Sequence, residues 1–461
     1  MASNEQKKIV KLNVMVHRKL NQVVFAEADK DFLDILFSFL TIPLGTIVRL
    51  LRKQSHPTVI GSLNNLHTSV ENLEERRFQA EICKTMLLGT RNAYGDECRK
   101  LELNIDDTEP TSFYLCQPCA SKRIGGSLLS TFDSRHSSCG SRLTPMTLRS
   151  RPNGSEVDGE DGVFVKGMAT FLVTDDLQVT PLSTLATFRL LNNLGITDAV
   201  LLEKKSLDVD FEQQGPNYRS VSARTKRSFF CATIQRGTKI LSLKKKCINN
   251  CKKIHLKATV RKSDKKVVYA EAGEDFVSFI FSVLTFPLGS VVELLDCSPV
   301  LGCIANLYKS VKELNVDRYL KSEDHKVLLL SPKLALQYSC NKDQPLSISE
   351  AKPHNYYYKT SSWGEAYLFD ETFLDINNPG EGTVTVNLLN PKSPAPEATK
   401  AEGFVKGPAM FMVTDDLVVT PFSSISCITY LEELKVPFSD IEEKVVVIGD
   451  EEVRYPNKNY L

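Results

Sequence analysis

The feature that most limits what this 461-residue chain can fold into is that its sequence blocks occur twice, in the same order. Leu12-Asn13-Val14-Met15-Val16 and Val23-Val24-Phe25-Ala26-Glu27-Ala28 return as Leu256-Lys257-Ala258-Thr259-Val260 and Val267-Val268-Tyr269-Ala270-Glu271-Ala272. Phe37-Ser38-Phe39-Leu40-Thr41-Ile42-Pro43-Leu44-Gly45 returns as Phe281-Ser282-Val283-Leu284-Thr285-Phe286-Pro287-Leu288-Gly289. Phe164-Val165-Lys166-Gly167, followed by Val173-Thr174-Asp175-Asp176-Leu177, returns as Phe404-Val405-Lys406-Gly407 and Val413-Thr414-Asp415-Asp416-Leu417. The chain therefore reads as a tandem duplication, with a first repeat over 1–205, a linker over 206–253 and a second repeat over 254–461. A unit of this length can bury a substantial core of its own.

Local patterning gives each repeat its expected elements. Alternating apolar residues on either side of Arg18-Lys19 and of Lys262-Ser263-Asp264 predict a β-hairpin. Asp31 and Asp275 stand just before apolar runs, where a carboxylate suits the positive end of a helix. Those runs cannot easily stay helical through the residue before Pro43 or Pro287, so a helix, a break and a second helix are expected. Between Gly61 and Leu73, and between Gly302 and Leu314, Asn65/Asn306 and Ser69/Ser310 lie in register, with Leu66, Val70 and Leu73 at helical spacing. Each Val-Thr-Asp-Asp-Leu ends a strand, a short strand follows, and Thr180-Pro181 and Thr420-Pro421 read as helix starts. The first of these helices is expected to end near Leu194-Gly195 and the second before Pro437. The fold class is α+β: two diverged tandem repeats, each a β-hairpin, Pro-broken helices, a Cys-containing or loop insertion, and a closing β-hairpin plus helix.

No charge interrupts Phe276 to Val292, but that run is shorter than the roughly 20 apolar residues of a membrane span. Pro287 and Gly289 also break it, so two buried core helices are expected and a membrane span is not. The N-terminus lacks the apolar core of a secretory signal, and twelve scattered cysteines suit a reducing compartment. The expected location is cytoplasmic or nuclear, which makes the Asn153-Gly154-Ser155 sequon irrelevant.

The Ala-Glu-Ala…Asp-Phe block, the Phe-Leu-Thr-Ile-Pro-Leu-Gly block and the Val-Lys-Gly…Val-Thr-Asp-Asp-Leu block resemble the plant family catalogued as domain of unknown function 674. The resemblance covers most of the chain outside residues 206–253. It implies one or more copies of this unit and a land-plant source, and no particular activity. The family pattern also implies a further Leu-rich helix after Leu202 and a Ser/Leu-rich tail after Ile448, and this sequence has neither.

The sharpest chemical constellation is Cys116-Gln117-Pro118-Cys119 followed by His136-Ser137-Ser138-Cys139-Gly140. Two pairs of soft ligands across a short loop can surround one Zn²⁺ tetrahedrally, and four protein ligands make such a site structural. Residues 106–151 would then form a zinc-ribbon-like insertion around Cys116, Cys119, His136 and Cys139. The resemblance implies a cysteine where Ser137 stands, which makes His136 a substitute ligand. The competing reading is loop cysteines without metal: in the second repeat only Cys340 aligns with Cys116, and His354 is the nearest soft residue.

Other candidates have blander readings. Adjacent carboxylates such as Asp175-Asp176 or Asp415-Asp416 point to opposite faces of a strand and suit a turn better than a site. Lys166-Gly167 and Lys406-Gly407 lack the glycines and terminal Lys-Ser/Thr of a phosphate loop. Glu27 and Glu271 are expected at strand ends, facing outward. The seven histidines make no metalloprotease or triad pattern, and no nucleophile elbow or dinucleotide fingerprint occurs.

Charge is distributed unevenly. Of 57 basic and 56 acidic residues, 14 basic and no acidic ones fall between Gln213 and Ser263, leaving the rest with a net charge of −13. Such a strap suits contact with nucleic acid, a nuclear-import signal or an anionic lipid surface, or serves as a solvated linker. The reading that follows is a non-enzymatic intracellular interaction or scaffold protein with a structural Zn²⁺ and unknown protein partners. Its alternatives are a small-ligand binder or enzyme with a site near the Asp175 and Asp415 hairpins, and nucleic-acid or membrane-surface contact through the basic linker.

Overall fold

The structure, a computed structural model, describes residues 9–210 and 253–448 apart from 54–59, 102–105, 108, 123–125, 137–138, 150–160, 299–300, 341–345, 347, 361–364, 374–381 and 394–402. Most of the basic segment, residues 213–252, lies outside the described residues. The protein is α+β.

In the N-terminal half, strands β1 (Ile9–His17) and β2 (Gln22–Ala28) form the expected hairpin. Val10, Leu12, Val14 and Val16 are buried on one face of β1, as period-two alternation requires. Helix α1 (Lys30–Ser38) follows, with Asp29 rather than Asp31 as its cap, accepting the Phe32 N–H. A short 3₁₀ turn, Phe39–Thr41, stops at Pro43, and α2 (Leu44–Arg52) starts beyond it. Then come α3 (Ser62–Asn72), α4 (Glu81–Leu88) and α5 (Gly95–Arg99). An insertion carries β3 (Phe113–Leu115), α6 (Gln117–Ser121), β4 (Gly126–Ser130), β5 (Thr144–Met146) and β6 (Leu148–Arg149). Strands β7 (Phe171–Thr174) and β8 (Val179–Pro181), helix α7 (Thr184–Asn193) and strand β9 (Leu202–Asp210) complete the half.

The C-terminal half repeats the order: β10 (Ile254–Arg261), β11 (Val267–Gly273), α8 (Glu274–Ser282), α9 (Leu288–Leu294), α10 (Cys303–Glu313), α11 (Val316–Tyr319) and α12 (Glu323–Leu330). It continues with β12 (Tyr356–Thr360), β13 (Ala366–Asp370), β14 (Val384–Leu388), β15 (Met410–Thr414), β16 (Val419–Pro421), α13 (Ser424–Glu433) and β17 (Ile441–Ile448). Two five-stranded sheets result, ordered β8-β7-β2-β1-β9 and β16-β15-β11-β10-β17. Their hairpins even share a register shift, at Met15/Val16 and at Thr259/Val260. The inner faces of both sheets enter one shared core, whereas α7 and α13 lie on the outer faces. Among the described residues no helix is long and apolar enough to cross a membrane.

Two expectations about element ends are corrected. Thr180 and Thr420 do not cap helices. Val179–Pro181 instead pairs with β7 as an outermost strand, where Pro181 needs no ladder N–H. The helix starts later, and the Ser183 hydroxyl accepts the Ala186 N–H at 3.1 Å. It ends as expected before Gly195, whose φ of +69° suits only glycine comfortably.

The halves hold each other through reciprocal contacts. The N–H of Leu44 donates to the Phe286 carbonyl and that of Leu288 to the Ile42 carbonyl, both at 3.0 Å, so the Pro-Leu-Gly breaks meet across the centre. The Val419 N–H donates to Ser69 Oγ and the Val179 N–H to Ser310 Oγ, both at 2.8 Å. Each α3- or α10-type helix thus packs on the closing strands of the opposite half. Close approach explains the glycine after each Pro-Leu: a Cβ at Gly289 would stand 2.6 Å from the Leu329 carbonyl oxygen and 3.0 Å from that of Leu40.

The two insertions share a third sheet, ordered β5-β3-β4-β14-β12-β13-β6. Only Thr147 separates β5 from β6, so both ends of that order belong to one run and the sheet closes into a barrel. Each half supplies one side, and the seams are the parallel pairs β4/β14 and β6/β13. In a flat sheet β3 and β12, three steps apart, would lie about 14 Å from each other. Yet the Phe113 and Tyr356 rings are 5.4 Å apart, which requires a curled sheet with a filled interior.

Candidate metal centre

Strand β3 buries Phe113 and Leu115 in the barrel and delivers Cys116 at its end. Pro118 suits the first turn of α6, where its missing N–H has no intrahelical partner to lose. One turn of α6 returns Cys119 beside Cys116, and Ala120 anchors the helix on the barrel core. The second ligand pair comes from the loop between β4 and β5. There the Gly140 N–H donates to the His136 carbonyl and the His136 N–H to the Ser141 carbonyl, both at 2.8 Å. Gly140 closes that turn at φ +68°, the backbone freedom its sequence position implied.

The four side chains predicted from spacing converge. Cys116 Sγ lies 3.5 Å from Cys139 Sγ, Cys119 Sγ 3.5 Å from His136 Nδ1, and His136 Nδ1 3.1 Å from Cys139 Sγ. All four ligand atoms lie within 4.8 Å of one another. A tetrahedral ion with metal–ligand bonds of about 2.0–2.3 Å holds its ligands roughly 3.5–3.8 Å apart. The donor set fits. Cys116, Cys119 and His136 are buried, while Cys139 is exposed. Burial pushes the Cys116 thiol up to about 12. Hydrogen bonds from Ser141, and then from His136, pull Cys139 down to about 6. His136 supplies the candidate ligand atom at its turn, and Ser137 lies outside the described residues.

The opposite half has no matching cluster among the described residues. Cys340, aligned with Cys116 by sequence, is buried in the main core rather than in the barrel. The strand in the same topological place as β3 is β12, where Lys359 follows the inward-facing Tyr358. His354 instead meets Glu371 at 3.2 Å on the surface.

The other singled-out residues are structural. Asp175-Asp176 and Asp415-Asp416 are exposed turns that do not converge. Asp176 accepts Asn306 Nδ2 and Asp416 accepts Asn65 Nδ2, each through side chain and backbone at 3.0 Å. Burial, and then Asp176, raises the pKa of Asp175. The backbone N–H of Lys166 donates to the Tyr319 carbonyl and that of Lys406 to the Arg77 carbonyl, further ties between the halves. Glu27 and Glu271 are half-buried within β2 and β11.

Sequence reading missed two buried ions. Asp34, fully buried in α1, accepts the N–H groups of Val163, Phe164 and Val165 at 2.5, 2.9 and 3.0 Å. Burial outweighs those bonds and raises its pKa to about 7. Ser278 does the same work in the other half, accepting the Val405 N–H at 3.0 Å. Lys392 donates to the Gln337 and Ser339 carbonyls at 2.8 and 2.6 Å, and burial lowers its pKa.

Fold and site together define an α+β protein whose barrel carries a Cys₃His cluster able to hold a metal ion. Over residues 6–451 the chain matches the family described as "Protein of unknown function (DUF674)", and it belongs to that family. No curated protein and no solved structure matches it.

Proposed function

We propose that this is a non-enzymatic plant interaction or scaffold protein, cytoplasmic or nuclear, built from two diverged copies of one unit and locked by a structural Zn²⁺. The observation that carries the metal is the Cys116, Cys119, His136 and Cys139 cluster, seated on a barrel to which both halves contribute. Zinc there would supply charge and bond directionality. The side chains hold α6 and the 136–141 turn against the barrel.

The two-copy reading is supported by the matched sheet orders and reciprocal hydrogen bonds; its first unit, read from sequence as 1–205, runs on to 210, where β9 still pairs with β1, and its second is 254–461. The interaction reading is supported by apolar residues exposed at matched places on both outer helices. Leu185 and Phe188 are 59% and 58% exposed, and Ile425 and Ile428 are 77% and 51% exposed. Contiguous exposed apolar surface of this kind marks contact sites more often than bare solvent faces.

Metal analysis of the full chain, purified under reducing conditions, tests the centre. One zinc per chain is expected, with loss in Cys119→Ser and a lower melting temperature after chelation. Zero bound metal in the wild type removes the proposal.

A further inference from the structure

We infer that the centre is also an oxidant-responsive modification site, with Cys139 the sulfur oxidised first and Cys116 the sulfur that resolves it into a disulfide. The inference rests on the zinc reading above. It starts from an asymmetry among the ligands: three are buried, and only Cys139 reaches solvent. A small peroxide therefore meets one thiolate, held as a thiolate by the metal, while Cys116 and Cys119 are buried.

Geometry selects the partner. Cys116 Sγ is 3.5 Å from Cys139 Sγ, already at van der Waals contact, whereas Cys119 Sγ lies against His136 Nδ1 at 3.5 Å and against Cys116. A disulfide needs the sulfurs at about 2.0 Å, so the pair must close by roughly 1.5 Å. The movable member is Cys139, on a loop with Gly140 at φ +68° and nothing within 4 Å of a Cβ there. Cys116 is fixed at the end of β3, its N–H donating to the Leu128 carbonyl at 2.9 Å.

The chemistry balances with hydrogen peroxide as oxidant. Cys139 thiolate attacks one peroxide oxygen; an S–O bond forms, the O–O bond breaks, and the departing hydroxide takes a proton to leave as water. Cys116 thiolate then attacks the sulfenic sulfur; an S–S bond forms, and the expelled hydroxide leaves as a second water. Two thiolates, one peroxide and two protons give one disulfide and two waters, with two electrons passing from sulfur to oxygen. Zinc then keeps only Cys119 and His136 and is released. Because the centre fastens α6 and the 136–141 turn to the barrel, release loosens that end of the shared barrel.

The test uses the zinc-loaded full chain, titrated with hydrogen peroxide beside a chromogenic zinc chelator too weak to strip the resting site. Zinc content is measured first; a metal-free protein at that point overturns the zinc reading and this inference with it. If zinc is present, one equivalent should be released per peroxide consumed, peptide mapping should find a Cys116–Cys139 disulfide, and a thiol reductant should restore binding. Zinc release with Cys139 still reduced, a disulfide to Cys119, or earlier oxidation of Cys297 or Cys303 overturns this inference and leaves the zinc centre standing. The variant Cys139→His keeps four ligands and removes the sulfur oxidised first, so its release should be at least an order of magnitude slower. Should that variant bind no zinc, the wild-type mapping still decides.

Discussion

Replacing Gly289 by alanine probes the close packing at the centre, where α9 lies against its own half's Leu329 and the opposite half's Leu40. In an isolated helix the change is favourable, because alanine exceeds glycine in helix propensity by up to about 1 kcal/mol. Here the added methyl would lie 2.6 Å from the Leu329 carbonyl oxygen, 3.0 Å from the Leu40 carbonyl oxygen and 3.0 Å from Pro332 Cδ. Neither carbonyl can rotate away as a side-chain tip could, so α9 must shift from the end of α12 as well as from the opposite half's 3₁₀ turn. Overpacking of this kind costs about 1–3 kcal/mol, the backbone obstacles place it at the upper end, and a net loss of about 2 kcal/mol is expected. Gly45→Ala meets the Leu284 carbonyl oxygen and Thr90 Oγ1 at 3.0 Å, so a smaller loss of about 1 kcal/mol is expected. Gly273→Ala, whose added methyl meets nothing within 4 Å, serves as the reference without a clash; as the N-cap of α8 it should lose no more than about 1 kcal/mol. Urea unfolding of the three variants reads the order. An unchanged or raised midpoint for Gly289→Ala, at unchanged slope, would refute the claimed close approach.

Three further outcomes are expected. Ser69→Ala and Ser310→Ala each strand a buried strand N–H held at 2.8 Å, so each should cost about 1–3 kcal/mol in urea unfolding, and markedly unequal losses would sink the reciprocal arrangement. Asp34 binds its proton at about 7 when folded against 3.8 in the free residue, so between those values the folded state holds more proton. Its contribution to stability should therefore fall as pH rises from about 4 to about 7, by on the order of 4 kcal/mol, and Asp34→Ser should flatten the profile; parallel wild-type and variant profiles count against it. Cutting the chain at a protease site engineered within 211–252 should leave the halves eluting together at the volume of the intact chain, because the joining hydrogen bonds lie elsewhere; separate elution would contradict them.

How much of this was legible beforehand depended on the range of the interaction that fixes each feature. The β1–β2 hairpin and the break at Pro43 are local, and period-two alternation and proline sterics spelled them out. Asn65 and Ser69 stood out because they recur at 306 and 310, but their partners, Asp416 and Val419, are about 350 residues away. Recurrence marked them as necessary without saying to what. The barrel was invisible, since strands of two to five residues are too short to show a period, and its two seams join halves that no local pattern connects. Thr180 was misread as a cap because Thr-Pro is equally good chemistry for the end of an edge strand. The convergence of the candidate metal ligands was legible for a different reason: soft ligands at paired spacing are informative without any knowledge of the fold. What spacing could not supply is where the cluster sits. On the opposite side of the barrel Lys359 holds the place of Cys116, Thr360 donates to the Tyr358 hydroxyl of the same strand at 3.0 Å, and no matching cluster occurs among the described residues. Among the described residues the candidate centre therefore belongs to one half alone, and the matched sheets and helices form in the other half without it.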